Sequence, residues 1–163
     1  MSKAVLISIR PEWCELIASG QKTVEVRKTK PSAILPLKCY IYCTKPSFPH
    51  EDFFVFDAGT DKICAYYGGG KVIGEFVCHN IFPVWPGYIG KDCLTFEEQE
   101  DYLGENGRGW GWQISDVVFY TEPLELSEFR SYNTSVEWKN GFPMPTHKIK
   151  HPPQSWMYVE EEA

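Results

Sequence analysis

The segment IRPEWCELIASGQKTVEVR, residues 9–27, carries the signals of a short helix, a stop and a strand. Pro11 suits the first helical turn, where its missing N–H leaves no hydrogen bond unmade. Gly20 suits the left-handed conformation that ends many helices. Three apolar residues between them follow the i, i+3, i+4 spacing of a face that packs on a core: Trp13, Leu16 and Ile17.

The strand that follows alternates apolar and charged residues. Val24 and Val26 are predicted to point to one face of this strand. The other face would carry the polar side chains of Thr23, Glu25 and Arg27. A helix packed at the sheet edge would bring a further charge, Lys22, close to that face. Such a group of opposite charges can orient a polar, planar ligand, and it can equally satisfy its own charges. The sequence leaves both interpretations open.

The same segment resembles the start of the ASCH domain, a family related to the PUA-like RNA-binding barrels. The resemblance rests on the Pro-Glu-Trp helix start, on Gly20 and on the run KTVEVR at 22–27. It covers most of the chain, except residues 44–68 and the tail after Phe142. It implies an α+β fold, a PUA-like β-barrel with flanking short helices and a cleft beside a helix. Two later runs extend the resemblance, GKVIGEFVC at 70–78 and GWGWQISDVVFY at 109–120.

The length of 163 residues fits one compact domain with a core. No apolar run is long enough to span a membrane, and the first residues lack a signal-peptide pattern. The default expectation is therefore a cytoplasmic protein without a membrane partner. We expect a single ASCH/PUA-like domain over residues 1–163, ending in a solvated acidic tail at 160–163.

Residues 44–69 depart from the pattern of the rest of the chain. The run KPSFPHEDFFVFDAGTD contains two prolines and four phenylalanines. We interpret residues 44–69 as an insertion that lies over the barrel. Clustered phenylalanines need burial, which favours a hydrophobic flap over a core edge. A lid over a ligand pocket is the alternative.

The formal charge of −6 argues against a general nucleic-acid binder that works by neutralising phosphates. It does not argue against the recognition of one base or nucleotide in a pocket. Some of the acidic residues are clustered, at 97–101 and at 160–162, so the net charge understates any local basic patch.

The six cysteines are expected to be reduced and mostly buried. The sequence shows no export signal, and most of the cysteines lie in apolar runs, where a free thiol behaves as a small hydrophobic group. Cys39 and Cys43 share one strand face, but a zinc site needs two close pairs or added histidines. We therefore expect no metal site, and no motif in the sequence calls for a cofactor.

The leading functional hypothesis is a module that binds RNA or a nucleotide in a charged cleft. Arg27 can make bidentate contacts to a phosphate or base edge. Glu25 can accept hydrogen bonds from exocyclic amines, and an aromatic side chain such as Trp112 can stack on a base. The predicted ligand-binding residues are Lys22, Thr23, Glu25, Arg27 and Trp112.

The second hypothesis is a hydrolase acting on an acylated nucleoside or on RNA. A branch of small ASCH-like proteins resembles amidohydrolases of acylated cytidine that use a Lys, a Thr and a Glu. The resemblance places that Lys at Lys22, but the Thr nucleophile falls on Glu25. In such an enzyme, Glu25 would act as a base on water and Lys22 would supply electrostatic help. The third hypothesis is a small protein-interaction domain in which the charged group is only structural.

Overall fold

The computed structural model describes residues 2–45, 53–57, 62–66, 69–132, 138–143 and 147–162. Two α-helices lie among these residues, α1 at Pro11–Ala18 and α2 at Phe96–Leu103, and a 3₁₀ helix spans Leu126–Glu128. The strands, in chain order, are β1 Lys3–Ile9, β2 Val24–Arg27, β3 Leu37–Cys43, β4 Phe53–Asp57, β5 Lys62–Tyr66, β6 Lys71–Cys78, β7 Ile81–Val84, β8 Gly109–Gln113, β9 Ser115–Leu124, β10 Trp138–Lys139, β11 Phe142–Pro143 and β12 Trp156–Glu160.

The larger sheet has five strands in the order β12-β1-β3-β6-β9. β1 and β3 run parallel, and the other neighbours in this sheet are antiparallel. A second sheet has the order β2-β8-β7, and β4-β5 and β10-β11 form two-stranded pairs. The predicted α+β class is therefore confirmed. The described strands form separate sheets, so closure into a PUA-like β-barrel stays a prediction.

The five-stranded sheet is covered on both faces. One face shares a core with α1 and with β8 of the smaller sheet, through Cys14, Ile17 and Trp112. The other face is covered by Leu126, Phe129 and other residues that follow β9. Burial on both faces explains why the β1 segment is almost continuously apolar, as central strands covered on both sides usually are.

Most of the predicted elements are present. The Tyr, Ile and Cys content of residues 37–43 predicts a strand, and β3 has these limits. Residues 156–159 predict an edge strand, and β12 pairs with β1 at the edge of the larger sheet. A glycine inside a strand, such as Gly74, indicates a bulge or a close backbone approach. A Cβ at this position would lie 2.4 Å from the Val118 carbonyl oxygen, and the β6–β9 register shifts beside it.

Two expectations are corrected. Alternation along residues 71–81 predicts one strand, followed by an aromatic loop at 82–90, but β6 ends at Cys78 and a separate strand, β7, spans Ile81–Val84. Pro83 is tolerated inside β7 because this strand lies at a sheet edge. The acidic tail is also less solvated than predicted. Glu160 is buried as the last residue of β12, and Glu161 forms an ion pair with Lys38 at 3.2 Å.

Half of the expected insertion at 44–69 lies outside the described residues. Its strands β4 and β5 pair as a hairpin, and β4 lies against α1. A hydrophobic flap and a lid differ in what the phenylalanine side chains contact, and these side chains lie outside the described part of the structure.

The described cysteine side chains are free thiols, and all of them except Cys93 are buried. Burial raises the pKa of the Cys39 thiol well above its usual value. Within the described part of the chain, no helix has the length and apolar character needed to cross a membrane.

The N-terminus of α2 generates a test of the fold. Thr95 accepts a hydrogen bond from the Glu98 N–H at 3.2 Å, and the Glu98 carboxylate accepts one from the Thr95 N–H at 3.0 Å. Thr95→Ala should therefore lower the free energy of unfolding by about 1 kcal/mol in a denaturant titration. Thr95→Ser, the matched control, keeps the hydroxyl and should stay close to wild type. Equal stability of the alanine and serine variants would contradict the role of this cap.

Candidate functional site

The three charged residues singled out in the sequence lie together and are buried. Lys22, Glu25 and Arg27 have exposed fractions of 3%, 6% and 7%. We call these three residues the ion cluster. All four residues of β2 are buried. Ser8 of β1 and Ser155, just before β12, cover Arg27 from one side.

Glu25 joins the two cations of the ion cluster. Its Oε1 accepts a hydrogen bond from Arg27 Nε at 3.0 Å and forms an ion pair with Arg27 Nη2 at 2.8 Å. Its Oε2 lies 3.2 Å from Lys22 Nζ as an ion pair. Among the described residues, Oε2 accepts no well-directed hydrogen bond. This oxygen therefore retains acceptor capacity beside the Lys22 ammonium.

Arg27 is fully engaged by the protein itself. Besides Glu25, Nη2 donates to the Ser8 carbonyl at 2.6 Å, and Nη1 donates to the Ser155 carbonyl at 3.2 Å and to its hydroxyl at 3.3 Å. These four hydrogen bonds and the Nη2–Oε1 ion pair occupy the guanidinium, which has five N–H donors. The arginine thus clamps β2 to β1 and to the segment before β12. A ligand contact through Arg27, as the sequence predicts, would compete with these hydrogen bonds.

Lys22 has a different set of partners. Its ammonium donates to the Asp92 carbonyl at 2.5 Å, pairs with Glu25 and lies 5.3 Å from the centre of the Trp13 ring. An ammonium has three N–H donors, and these contacts include two polar partners. Among the described residues, Lys22 is therefore the member of the ion cluster with donor capacity for a ligand.

The ion cluster carries a net charge of +1, from two cations and one carboxylate. Burial alone would raise the pKa of Glu25. The charges of Arg27 and Lys22, with the hydrogen bond from Arg27, outweigh the burial and hold that pKa below its ordinary value of 4.5. Glu25 is therefore ionised at neutral pH, which makes it a weak proton acceptor and a strong anchor for the Lys22 ammonium.

An open cavity of about 820 Å³ lies over the ion cluster. Trp13 of α1 and Tyr102 of α2 line it from two helices. Ser8 and Ser155 belong to its lining as well. The remaining charged side chains of the lining are Arg10, Glu12, Glu98 and Asp101. The cavity therefore combines a buried cation, two aromatic rings and a set of carboxylates.

The other two predicted site residues do not line this cavity. Thr23 is half-buried, and its backbone pairs with Lys91 and Ile114. Trp112 is fully buried in the core, with its ring 5.6 Å from that of Trp156, so its face is not open to a ligand.

Two aromatic residues that do line the cavity, Trp13 and Tyr102, were not predicted as site residues. The helical spacing of Trp13 indicated only a core contact. No local pattern marks Tyr102, since α2 meets the cavity only through tertiary packing. Among the described residues, no three histidine, cysteine, aspartate or glutamate side chains come together as a metal site.

The fold and the site define an α+β protein with a charged cavity between short helices, and comparisons with known proteins identify its family. No family model matches the chain. A curated protein of Zymomonas mobilis subsp. mobilis, named ASCH domain-containing ribonuclease, is 43% identical over 160 residues, which cover 98% of this chain and 86% of that protein. The chain belongs to the ASCH domain family.

Solved structures agree with this assignment at the level of the fold. A crystal structure of ASCH from Zymomonas mobilis has a TM-score of 0.61 at 21% identity and covers 97% of this chain and 88% of that chain. A mutant ZmASCH protein from the same organism gives a TM-score of 0.62 at 21% identity, with 98% and 92% covered.

The structure of the ion cluster predicts that removal of its carboxylate strongly lowers the free energy of unfolding. Glu25→Gln would leave two buried cations without their counter-charge, so the free energy of unfolding should fall by about 3–5 kcal/mol. Glu105→Gln, at an exposed glutamate, is the matched control and should change it by at most about 0.5 kcal/mol. Chemical denaturation measures both variants. A loss for Glu25→Gln no larger than that of the control would contradict the assigned role.

The lowered pKa of Glu25 predicts a dependence of stability on pH. When the pKa of a carboxyl group is lower in the folded state than in the unfolded state, the group stabilises the fold fully at a pH above its unfolded-state pKa. This contribution is lost as the pH falls through the folded-state pKa. The stability difference between wild type and Glu25→Gln should be complete above about pH 4.5 and shrink at lower pH. Denaturant titrations across this range measure it, and a constant difference would contradict the assignment.

Proposed function

We propose that this chain binds single-stranded RNA in the cavity over the ion cluster and cleaves it there. One observation carries the proposal: the Lys22 ammonium, with donor capacity left, lies in an open cavity of a chain that is 43% identical to a protein named as a ribonuclease. Phosphodiesters are anionic, and a fixed cation in a partly dehydrated site attracts them more strongly than one in water.

The lining of the cavity suits one nucleotide of a single strand. The phosphate would contact Lys22, and the base would lie against Trp13 or Tyr102. Stacking of unpaired bases on aromatic side chains is a common mode of single-strand recognition. The carboxylates of Glu98 and Asp101 can accept hydrogen bonds from exocyclic amines of the base. Because they also repel phosphates, they favour the entry of a single nucleotide over a longer stretch of backbone.

In this proposal, the two cations have different roles. During phosphoryl transfer, negative charge is spread over the non-bridging oxygens of the phosphate, and a preorganised cation stabilises it. Lys22 is the residue in a position to do this. Glu25 and Arg27 are positioning residues: the carboxylate holds the ammonium, and the guanidinium holds the carboxylate. The base on water that the sequence suggested for Glu25 fits less well, because its pKa is lowered.

We also propose that residues 1–163 form one ASCH domain with a PUA-like β-barrel. This is supported by the core that the five-stranded sheet shares with the three-stranded sheet, through Trp112 of β8. In the same proposal, residues 44–69 are an insertion into that domain. No specific observation favours the hydrolysis of acylated nucleosides, and Glu25 occupies the position of the expected threonine nucleophile.

The proposed activity predicts a strong effect of Lys22→Gln. The variant should cleave a fluorescently labelled single-stranded RNA about 100–1,000-fold more slowly, the scale of losing one preorganised group that stabilises transition-state charge. Arg27 still pairs with Glu25 in this variant, so the fold should be retained, and circular dichroism checks this.

The matched control is Lys38→Gln. Lys38 also pairs with carboxylates, Glu75 and Glu161, but it does not line the cavity. This variant should cleave RNA at the wild-type rate. Absence of RNA binding and cleavage by the wild type would contradict the proposed function and favour a protein-interaction domain. Equal rates for wild type and Lys22→Gln would contradict the role of Lys22.

A further inference from the structure

Three exposed cations lie over two aromatic rings beside the cavity. Lys30 Nζ is 4.3 Å from the centre of the Trp110 ring, and Arg108 Cζ is 5.1 Å from the same ring. Lys28 Nζ is 5.1 Å from the centre of the Tyr102 ring. We call these five residues the basic strip. Cation–π contacts of this kind hold long side chains in place while the charge faces water.

The charge of the basic strip is not neutralised by neighbouring carboxylates. Among the described residues, none of its three cations lies within ion-pair distance of an aspartate or glutamate. Lys22, Lys38 and Lys71, in contrast, all have such partners. Three positive charges without such a partner thus stand on a chain whose net charge is −6. Because screening limits electrostatic interactions to about 8 Å at physiological salt, a ligand there responds to these charges and their near neighbours more than to the net charge of the chain.

The basic strip adjoins the cavity. Lys28 follows Arg27 directly in the chain, and Trp110 lies opposite Arg27 in the β2–β8 register. Tyr102 belongs both to the basic strip and to the lining of the cavity. A strand of nucleic acid with one nucleotide over the ion cluster can therefore continue across Tyr102 onto these cations without leaving the protein surface.

We propose that the basic strip binds the phosphodiester backbone of single-stranded RNA next to the nucleotide held in the cavity. This inference rests on the proposed function, since it extends the same binding site. A single strand fits the arrangement because the nucleotide that enters the cavity must be unpaired. Positive grooves that carry aromatic side chains are the usual surface for single-stranded nucleic acid. An acidic peptide would also meet three positive charges, but nothing in the cavity selects for one.

The test compares wild type with the triple variant K28Q/K30Q/R108Q. All three residues are exposed, so the fold should be retained. The matched control, K139Q/K148Q/K150Q, removes the same formal charge from exposed residues outside the cavity and the basic strip. The probes are a single-stranded 2′-O-methyl RNA, which withstands cleavage, and a mononucleotide. Fluorescence anisotropy measures the affinity for the RNA, and calorimetry measures that for the mononucleotide.

The loss of three phosphate contacts should reduce the slope of log affinity against log salt by about 2. Between about 50 and 200 mM salt, the wild type should therefore lose about 20-fold more affinity for the RNA than the triple variant. The control should keep the wild-type slope, and the affinity for the mononucleotide should be the same in all three proteins. If the wild type binds RNA and the triple variant has the same salt slope, the proposed role of the basic strip is wrong, while the proposed function still stands. No RNA or mononucleotide binding by the wild type would overturn the proposed function together with it.

Discussion

A buried carboxylate that holds two cations is the interaction on which the rest of the site depends. Glu25 lies between Arg27 and Lys22, and all three side chains are almost completely removed from water. Charges at such depth are stable only when each has a counter-charge and hydrogen-bond partners. The partners here come from distant parts of the chain, so satisfying the ion cluster also fixes how those parts are placed.

The connections from the ion cluster run in two directions. Through Arg27 they reach the Ser8 carbonyl of β1 and Ser155, which leads into β12. Through Lys22 they reach the Asp92 carbonyl, in the loop ahead of α2. The Asp92 side chain in turn accepts a hydrogen bond from Gln99 of α2 at 2.8 Å. These two hydrogen bonds connect α2, which lines one side of the cavity, to Lys22 of the ion cluster.

This arrangement gives Lys22 a fixed position before any ligand arrives. A free lysine side chain loses considerable rotamer entropy when it is held in one conformation. In this protein, the Glu25 and Asp92 contacts have already restricted the side chain. A preorganised cation can therefore act on an anionic ligand without that cost.

Elements marked by local signals could be predicted from the sequence. Thr95 and Glu98 define a capping box by their spacing alone, and the Tyr, Ile and Cys content of residues 37–43 indicates β3. The grouping of Lys22, Glu25 and Arg27 also followed from local geometry. Their burial did not, because Ser155 lies 128 residues from Arg27 in the chain.

The aromatic side chains in and near the site also show how far local sequence patterns can predict burial. Trp110 and Trp112 share a strand face, yet only Trp112 is fully buried, because Trp156 from β12 packs on it. Strand alternation predicts the face to which a side chain points, but it does not predict which distant residues pack on that side chain. Tyr102 likewise reaches the cavity because α2 packs beside β2, which is a tertiary contact without a sequence signature.

The central claim is that RNA enters the cavity over the ion cluster. Its most direct test is an NMR titration of the tryptophan indole N–H signals with a single-stranded 2′-O-methyl RNA. Trp13 lines the cavity beside Lys22, whereas Trp85 is exposed elsewhere, outside the cavity lining. The Trp13 signal should shift with added RNA while the Trp85 signal stays in place. A shift of Trp85 with an unchanged Trp13 signal would contradict the claim.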